Sequence, residues 1–373
     1  MVNEQRIVDE FIELVKVDSE TKNEREISLV LKEKFTALGC DVQEDNAAST
    51  TEHEAGNLVI TLQGSKKDGP VLYFTSHMDT VVPGRGITPF IEEGYIKTDG
   101  TTILGADDKA GIAAMLETIR QLKEQNIAHA DIQFIVTVGE ESGLVGAKAL
   151  DTSLVKADYG YALDSDGDVG NIIVAAPTQA KIKAVIKGKT AHAGVAPEKG
   201  ISAITVASKA VSKMPLGRID EETTANIGRF EGGSQTNIVC DEVYILAEAR
   251  SLVREKLDKQ AAEMKKAFEE AAEEMGAEAE VEIDIMYPGY KLSEADTVVQ
   301  MAQHGIKKAG RTPELLTSGG GSDGNIISGY GIPTVNLAVG YEEIHTTNEK
   351  MPISELVKIT EVVLSIISHS VSE

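Results

Sequence analysis

Ile132-Gln133-Phe134-Ile135-Val136-Thr137-Val138-Gly139-Glu140-Glu141 is the stretch that decides the fold. Ile132 to Val138 is a run of β-formers without the polar alternation of a half-exposed strand. Such a run marks a strand buried on both faces, which belongs to a parallel sheet. It stops at two adjacent acids. Outward from it the same texture repeats. Val71 to Ser76 and Tyr159 to Leu163 read as further buried strands, and Asn57 to Leu62 as another. Between them a helix runs from Asp107 or Asp108, either of which can cap it, to about Gln125, with Ile112, Met115, Leu116 and Ile119 inward. Glu24 to Leu38 keeps a helical period until Gly39. Strands alternating with helices predict an α/β domain with a mostly parallel sheet. Ligands of such sheets bind beyond the carboxyl ends of the strands. His77, Glu140 and Asp164 all stand at such ends.

The texture changes near Thr178. Lys181 to Lys187 alternates polar and apolar residues, as a half-exposed strand does. A helix near Gly200 to Met214 follows, then strands near Thr224 to Arg229 and Val243 to Ala249. A charged helix, Arg254 to Met275, and a strand, Val281 to Ile285, complete the series. This β-α-β-β-α-β order predicts an α+β, ferredoxin-like domain. From Leu292 the first texture returns, with a helix, the strand Thr334 to Val339 and a last helix from Ser354. The expected division is therefore 1–177, an inserted 178–288, and 289–373. A chain of 373 residues exceeds the size, about 250–300 residues, at which single cores stop growing.

The net charge of −24 argues against nucleic acid, whose phosphates need a basic surface. There is no apolar run long enough to span a bilayer and no basic n-region followed by an apolar stretch. Two cysteines, Cys40 and Cys240, are far apart and suit a reducing compartment. These features predict a cytoplasmic protein with no membrane and no nucleic-acid partner.

Five patches carry the chemistry: Ser76-His77-Met78-Asp79-Thr80, Gly105-Ala106-Asp107-Asp108-Lys109-Ala110-Gly111, Gly139-Glu140-Glu141, Leu163-Asp164-Ser165-Asp166, and His345. His77 and Asp79, two apart on a strand, share a face. A metal-bound imidazole commonly gives its second N–H to a carboxylate or carbonyl, so this pair suits a ligand with its orienter. Two histidines, several carboxylates and one spare Glu are the parts of a hydrolytic two-metal site. Other motifs fail. Asp164 to Asp168 lacks the Gly and the distal Glu of a calcium loop, with Val169 and Ala175 in their places. Gly188-Lys189-Thr190 lacks the first Gly of a phosphate loop, because Lys183 stands there.

Together the motifs H-M-D-T, G-A-D-D-K-A-G, G-E-E, L-D and a late His resemble the dizinc metallopeptidases that include peptidase T, glutamate carboxypeptidase, aminoacylase and succinyl-diaminopimelate desuccinylase. The resemblance covers nearly the whole chain. Leu104 to Gly111 and Ser318 to Asn325 look most like peptidase T and its shorter relatives. It implies a zinc-hydrolase catalytic domain carrying an inserted lid, through which two copies can pair as a homodimer. It implies two Zn2+, with cobalt or manganese as substitutes. His77, Asp107, Glu141, Asp164 and His345 would be the ligands, Asp107 bridging both ions, with Asp166 as the fallback for Asp164. Asp79 would orient His77, and Glu140 would be the general base acting on a metal-activated water. In the lid, His192 would reach the substrate carbonyl, Asn237 the substrate backbone and Arg250 a substrate carboxylate. Gly320 and Ser322 would line the pocket.

The activity so implied is hydrolysis of short peptides, most of all a tripeptide aminopeptidase. The alternatives are a carboxypeptidase or N-acyl-amino-acid deacylase of the same family, and a non-catalytic metal-stabilised peptide-binding protein. The connection from Asp79 to Asp107 is shorter than in peptidase T, which leaves tripeptide specificity open.

Overall fold

The computed structural model describes residues 2–371; Met1, Ser372 and Glu373, the ends of the first and last expected domain spans, lie outside the described residues. The chain forms two compact units. One comprises Met1–Ala175, Leu292–Ser318 and Ser322–Glu373, and the other Ala176–Lys291 with Gly319–Gly321. Among the described residues no helix is long and apolar enough to cross a membrane.

The first unit is built on a mixed sheet whose centre is parallel. Strands Ile132–Thr137, Leu72–His77, Tyr159–Ser165 and Thr334–Ala338 lie side by side in that order and run the same way. Antiparallel partners close the flanks: Leu58–Leu62 and then Asp41–Glu44 on one side, Asn171–Ala176 on the other. The central run Ile132–Thr137 is buried along its whole length, as its unbroken β-former pattern requires. Phe74 stacks between Phe134 and Tyr161, with centroid distances of 6.1 and 5.3 Å. Each such buried aromatic contributes roughly 1.5–3 kcal/mol by removing apolar surface from water.

Helix Ala106–Glu124 packs on this sheet against Leu72–His77 and Tyr159–Ser165, and is covered in turn by Glu4–Val15 and Ile353–Ser370. Its start is irregular. Asp107 and Asp108 have non-helical backbone angles, and the peptide joining them is cis. Asp108 nevertheless caps the regular turns that follow, since its Oδ1 accepts from the N–H of Gly111 at 3.3 Å. Gly111 has to lack a side chain: a Cβ there would stand 2.2 Å from Ser76 Oγ and 2.9 Å from the carbonyl of Leu163. That close approach brings the helix start onto the ends of two parallel strands.

The second unit is an antiparallel sheet in the order Gly217–Arg218, Thr223–Gly232, Glu242–Ser251, Thr178–Lys187, Glu278–Tyr287. Helices Ala203–Lys213 and Arg254–Met275 cover one face. Ala180, Ile182, Ala184 and Ile186 point into that covered core, while Lys181, Lys183 and Lys187 alternate to the other face. The chain order and the strand order are those of a ferredoxin-like fold, as the alternation predicts.

Candidate metal centre

Strand Leu72–His77 ends on an imidazole, and its neighbour in register is Thr137 at the end of Ile132–Thr137. Parallel pairing therefore puts the residues that follow both strands on one rim. His77 is 1% exposed. Its Nδ1 donates to the carbonyl of Asp79 at 2.9 Å and lies 3.4 Å from Asp79 Oδ1. This fixes the ring so that Nε2 faces Asp107 Oδ1 at 2.9 Å and Asp164 Oδ1 at 3.7 Å. The carboxylate of Asp79 turns the other way and accepts from the N–H groups of Glu140 and Glu141 at 3.0 and 3.3 Å.

Asp107 has a second imidazole on its other oxygen. His345 Nε2 lies 3.2 Å from Asp107 Oδ2 and 3.0 Å from Glu141 Oε1. His345 sits at φ +60 on an exposed loop, a region that non-glycine residues seldom occupy. The same loop ends in Glu349, which is buried. Its carboxylate accepts from the N–H groups of Leu104, Gly105 and Asp107 at 2.7, 2.8 and 3.0 Å. The segment Lys350–Pro352 then pairs with Tyr95–Lys97 and anchors the loop. Residues 345–349 thus clasp Asp107 from its carboxylate and from its backbone.

Three sets of donor atoms fall within 4.8 Å of one another and could hold a cation: His77, Asp107 and Asp164; His77, Glu140 and Glu141; and Asp107, Glu141 and His345. The first and third share only Asp107, one oxygen toward each imidazole. Asp166, the alternative to Asp164, is exposed beyond the strand end and belongs to none of these sets.

The electrostatics of the protein alone are those of anions short of positive charge. Burial raises the Glu140 carboxyl well above its ordinary pKa; His77 opposes this, while Asp323, Glu141 and Asp107 reinforce it. Burial and repulsion by Glu140 do the same to Asp164. Burial works against charge on His77, but Asp107 and Asp79 outweigh it and hold the imidazole protonated well above its usual value. Asp107 and Glu141 push His345 up to about 10. Asp107 is itself held below the usual carboxylate range, because His345 and His77 overcome its burial. The imidazoles are thus kept as cations by oxygens that want positive charge. Divalent cations in place of those protons satisfy the same oxygens, so the donor set fits a pair of metal ions.

The remaining expected residues lie elsewhere. Ser322, buried, caps helix Asp323–Gly329 and also accepts from Asn336 Nδ2 at 3.2 Å. His192, Asn237, Arg250 and Gly320 belong to the second unit. There a bridge between His192 and Ile238 brings the loops of His192 and Asn237 together, with the N–H of Ala193 donating to Asn237 O at 2.9 Å. His192 Nδ1 accepts from the N–H of Gly194 at 3.1 Å, so Nε2 carries the ring proton. Arg250 gives Nε and Nη2 to Glu248, both at 3.0 Å, and Nη1 to the carbonyl of Gly319 at 3.0 Å.

Sequence reasoning missed Glu349, Tyr341 and Asp323. Tyr341 donates to Asp164 Oδ1 at 3.3 Å. Asp323 is buried beside the rim, bonded by Thr137, with burial lifting its carboxyl to about 6. An acid destined for burial looks like any other in a chain with 60 of them.

The family model for peptidase family M20/M25/M40 matches residues 73–369. An uncharacterized protein of Bacillus subtilis (strain 168), YqjE, is 70% identical over 370 residues, covering 99% of this chain and 100% of its own. Two solved structures are similar throughout. Aminopeptidase PepT from Bacillus cereus is 66% identical, with 99% of each chain covered and a TM-score of 0.95. A tripeptidase from Staphylococcus aureus is 54% identical, with both chains covered completely and a TM-score of 0.98.

Proposed function

Because the chain belongs to peptidase family M20/M25/M40, we propose that it hydrolyses short peptides and is, within that class, a tripeptide aminopeptidase dependent on two divalent cations. The observation that carries this reading is the double approach to Asp107, with His77 Nε2 at one oxygen and His345 Nε2 at the other. The relatives named as an aminopeptidase and a tripeptidase support the choice of substrate.

In this reading the first unit is catalytic and the second is its lid. His77 with Asp164 would hold one ion and His345 with Glu141 the other, Asp107 serving both. Zinc is the expected metal, with cobalt or manganese able to replace it, because carboxylate-rich sites discriminate weakly among them. When bound, such a pair polarises a peptide carbonyl and brings the pKa of a water to about 7.

The chain's own residues do the rest. Glu140 takes the water's proton on its carboxylate and passes it to the leaving amine. Asp79 fixes His77 through the ring N–H and fixes Glu140 and Glu141 through their backbone. His192, with its proton on Nε2, is the donor for the oxyanion. Arg250 keeps N–H groups beyond those given to Glu248 and Gly319, enough for a peptide carboxylate. Asn237, Gly320 and Ser322 complete the substrate contacts. The lid is also the surface for a homodimer, and the compartment is the cytoplasm.

One assay tests the reading: free tripeptides against the same tripeptides N-acetylated, on protein whose metal content has been measured. An aminopeptidase needs the free amine. Faster cleavage of the blocked set moves the assignment to a deacylase or carboxypeptidase. No cleavage across a broad peptide panel with zinc, cobalt or manganese leaves a metal-stabilised peptide-binding protein.

A further inference from the structure

Behind the Glu140–Glu141 turn, on the side away from the donor atoms, lies a second buried ionisable pair. Glu24 is 0% exposed and His53 5%. Glu24 Oε1 is 2.6 Å from His53 Nδ1 and also accepts from the N–H of Lys22 at 2.8 Å. The far edge of the His53 ring meets the turn at two places. Nε2 is 3.3 Å from Ser142 Oγ. The ring also fills the space where a side chain on residue 139 would go: a Cβ there would stand 2.2 Å from His53 Cε1, and Gly139 is at φ +59. Only glycine fits both that backbone and that ring.

We propose that Glu24 and His53 form a strut that positions the turn Gly139–Ser142, and so sets where Glu140 and Glu141 point. Four consecutive residues are pinned by two buried groups. Asp79 takes the N–H groups of Glu140 and Glu141, and His53 takes the residues on either side. Glu24 keeps the ring from turning, because a carboxylate on Nδ1 fixes both its tautomer and its plane. Glu24 and His53 are positioning residues, since neither reaches the donor atoms of the rim. The order Glu24, His53, Ser142 resembles the relay of a serine nucleophile. The surroundings do not complete one: the N–H groups of Gly143 and Leu144 both donate to the carbonyl of Glu140, at 2.9 and 2.8 Å. Those two amides are therefore engaged within the turn and do not face an oxyanion.

The inference rests on the reading of Glu140 as base and Glu141 as ligand, so its test includes a measurement that needs no turnover. His53→Asn keeps a polar partner for Glu24 and removes the contacts to Gly139 and Ser142. In that variant kcat for a free tripeptide should fall about 10–100-fold with KM unchanged, the scale on which outer partners of a metal site act. Titration of metal-stripped protein with Co2+ should show one of two equivalents weakened by about 10–100-fold, with an altered cobalt absorption spectrum. Glu24→Gln should move the same quantities in the same direction by less. If wild-type protein cleaves no peptide, the function reading fails, while the cobalt titration still decides the strut. Unchanged kcat and unchanged binding of both equivalents in folded His53→Asn protein overturn the proposal. So does capture of Ser142 by a fluorophosphonate that His53→Asn abolishes. If His53→Asn does not fold, Ser142→Ala at its exposed position carries the test, and wild-type kcat and cobalt binding there overturn it.

Discussion

Charged side chains crowd two places in this molecule under opposite rules. On the open face of the second unit's sheet they come in exposed pairs, Lys183 with Asp284 at 2.9 Å and Lys187 with Glu280 at 2.5 Å, each about half exposed. On the rim of the first unit Asp107, Glu141 and His77 retain 8%, 6% and 2% of their side-chain exposure. There carboxylates outnumber cations. Water makes the first arrangement cheap and nearly idle, because exposed pairs contribute little. Its exclusion makes the second expensive, so that positive charge from outside the chain is the natural completion. Both regions bring charged side chains together; the exposure of those side chains separates them.

The largest test of that contrast is Glu140→Gln. It should leave metal content intact and lower kcat by roughly 10²–10⁴, the size of a general-base contribution; wild-type turnover with metal bound would remove Glu140 from its role. Next is Glu349→Ala, which strands three buried N–H groups. Metal-free protein should lose about 3 kcal/mol in urea unfolding, given the cost of leaving buried donors unpaired. A change as small as that of a surface mutation would show that the clasp is slack. Third is the pH dependence of metal uptake. His77 and His345 are both protonated near neutrality, since their neighbours raise them, His345 to about 10. A cation has to displace those protons, so apparent affinity rises with pH, by up to about tenfold per unit for each proton released. A cobalt titration that is flat between about pH 6 and about pH 8 would contradict the sign. The smallest is Lys183→Ala on the open face. It should change stability by less than about 1 kcal/mol and leave peptide hydrolysis unaltered; a larger loss would mean that this face is not merely solvated.

The two regions also differ in how far the sequence reveals them. The parallel centre of the sheet is legible because Ile132–Thr137 is buried on both faces and shows no alternation. The ferredoxin-like sheet is legible for the opposite reason, the alternation of polar and apolar residues over Lys181 to Lys187. The flanks are not: Asn171–Ala176 takes Thr334–Ala338 and Glu314–Thr317 as partners, and that pairing comes from the chain that returns after the insert. In the rim the motifs around His77, Glu140 and Asp164 show themselves by following apolar runs, and the one around Asp107 by opening a helical pattern. Glu24, His53, Asp323 and Glu349 do not, because each sits in a polar segment whose burial depends on contacts from dozens or hundreds of residues away.

The clasp formed by His345 and Glu349 has a consequence for the order of biosynthesis. A chain emerging from the ribosome as far as Tyr341 has all the acids of the rim, but nothing yet grips Asp107 from its far oxygen or from its amide. Domains form as units while synthesis proceeds from the N-terminus, and this one receives its last donor, His345, only after the acids of the rim have been made. A chain stopped at Tyr341 carries the acids without the imidazole that approaches Asp107 from its far side, so the proposed seat for two cations would be incomplete.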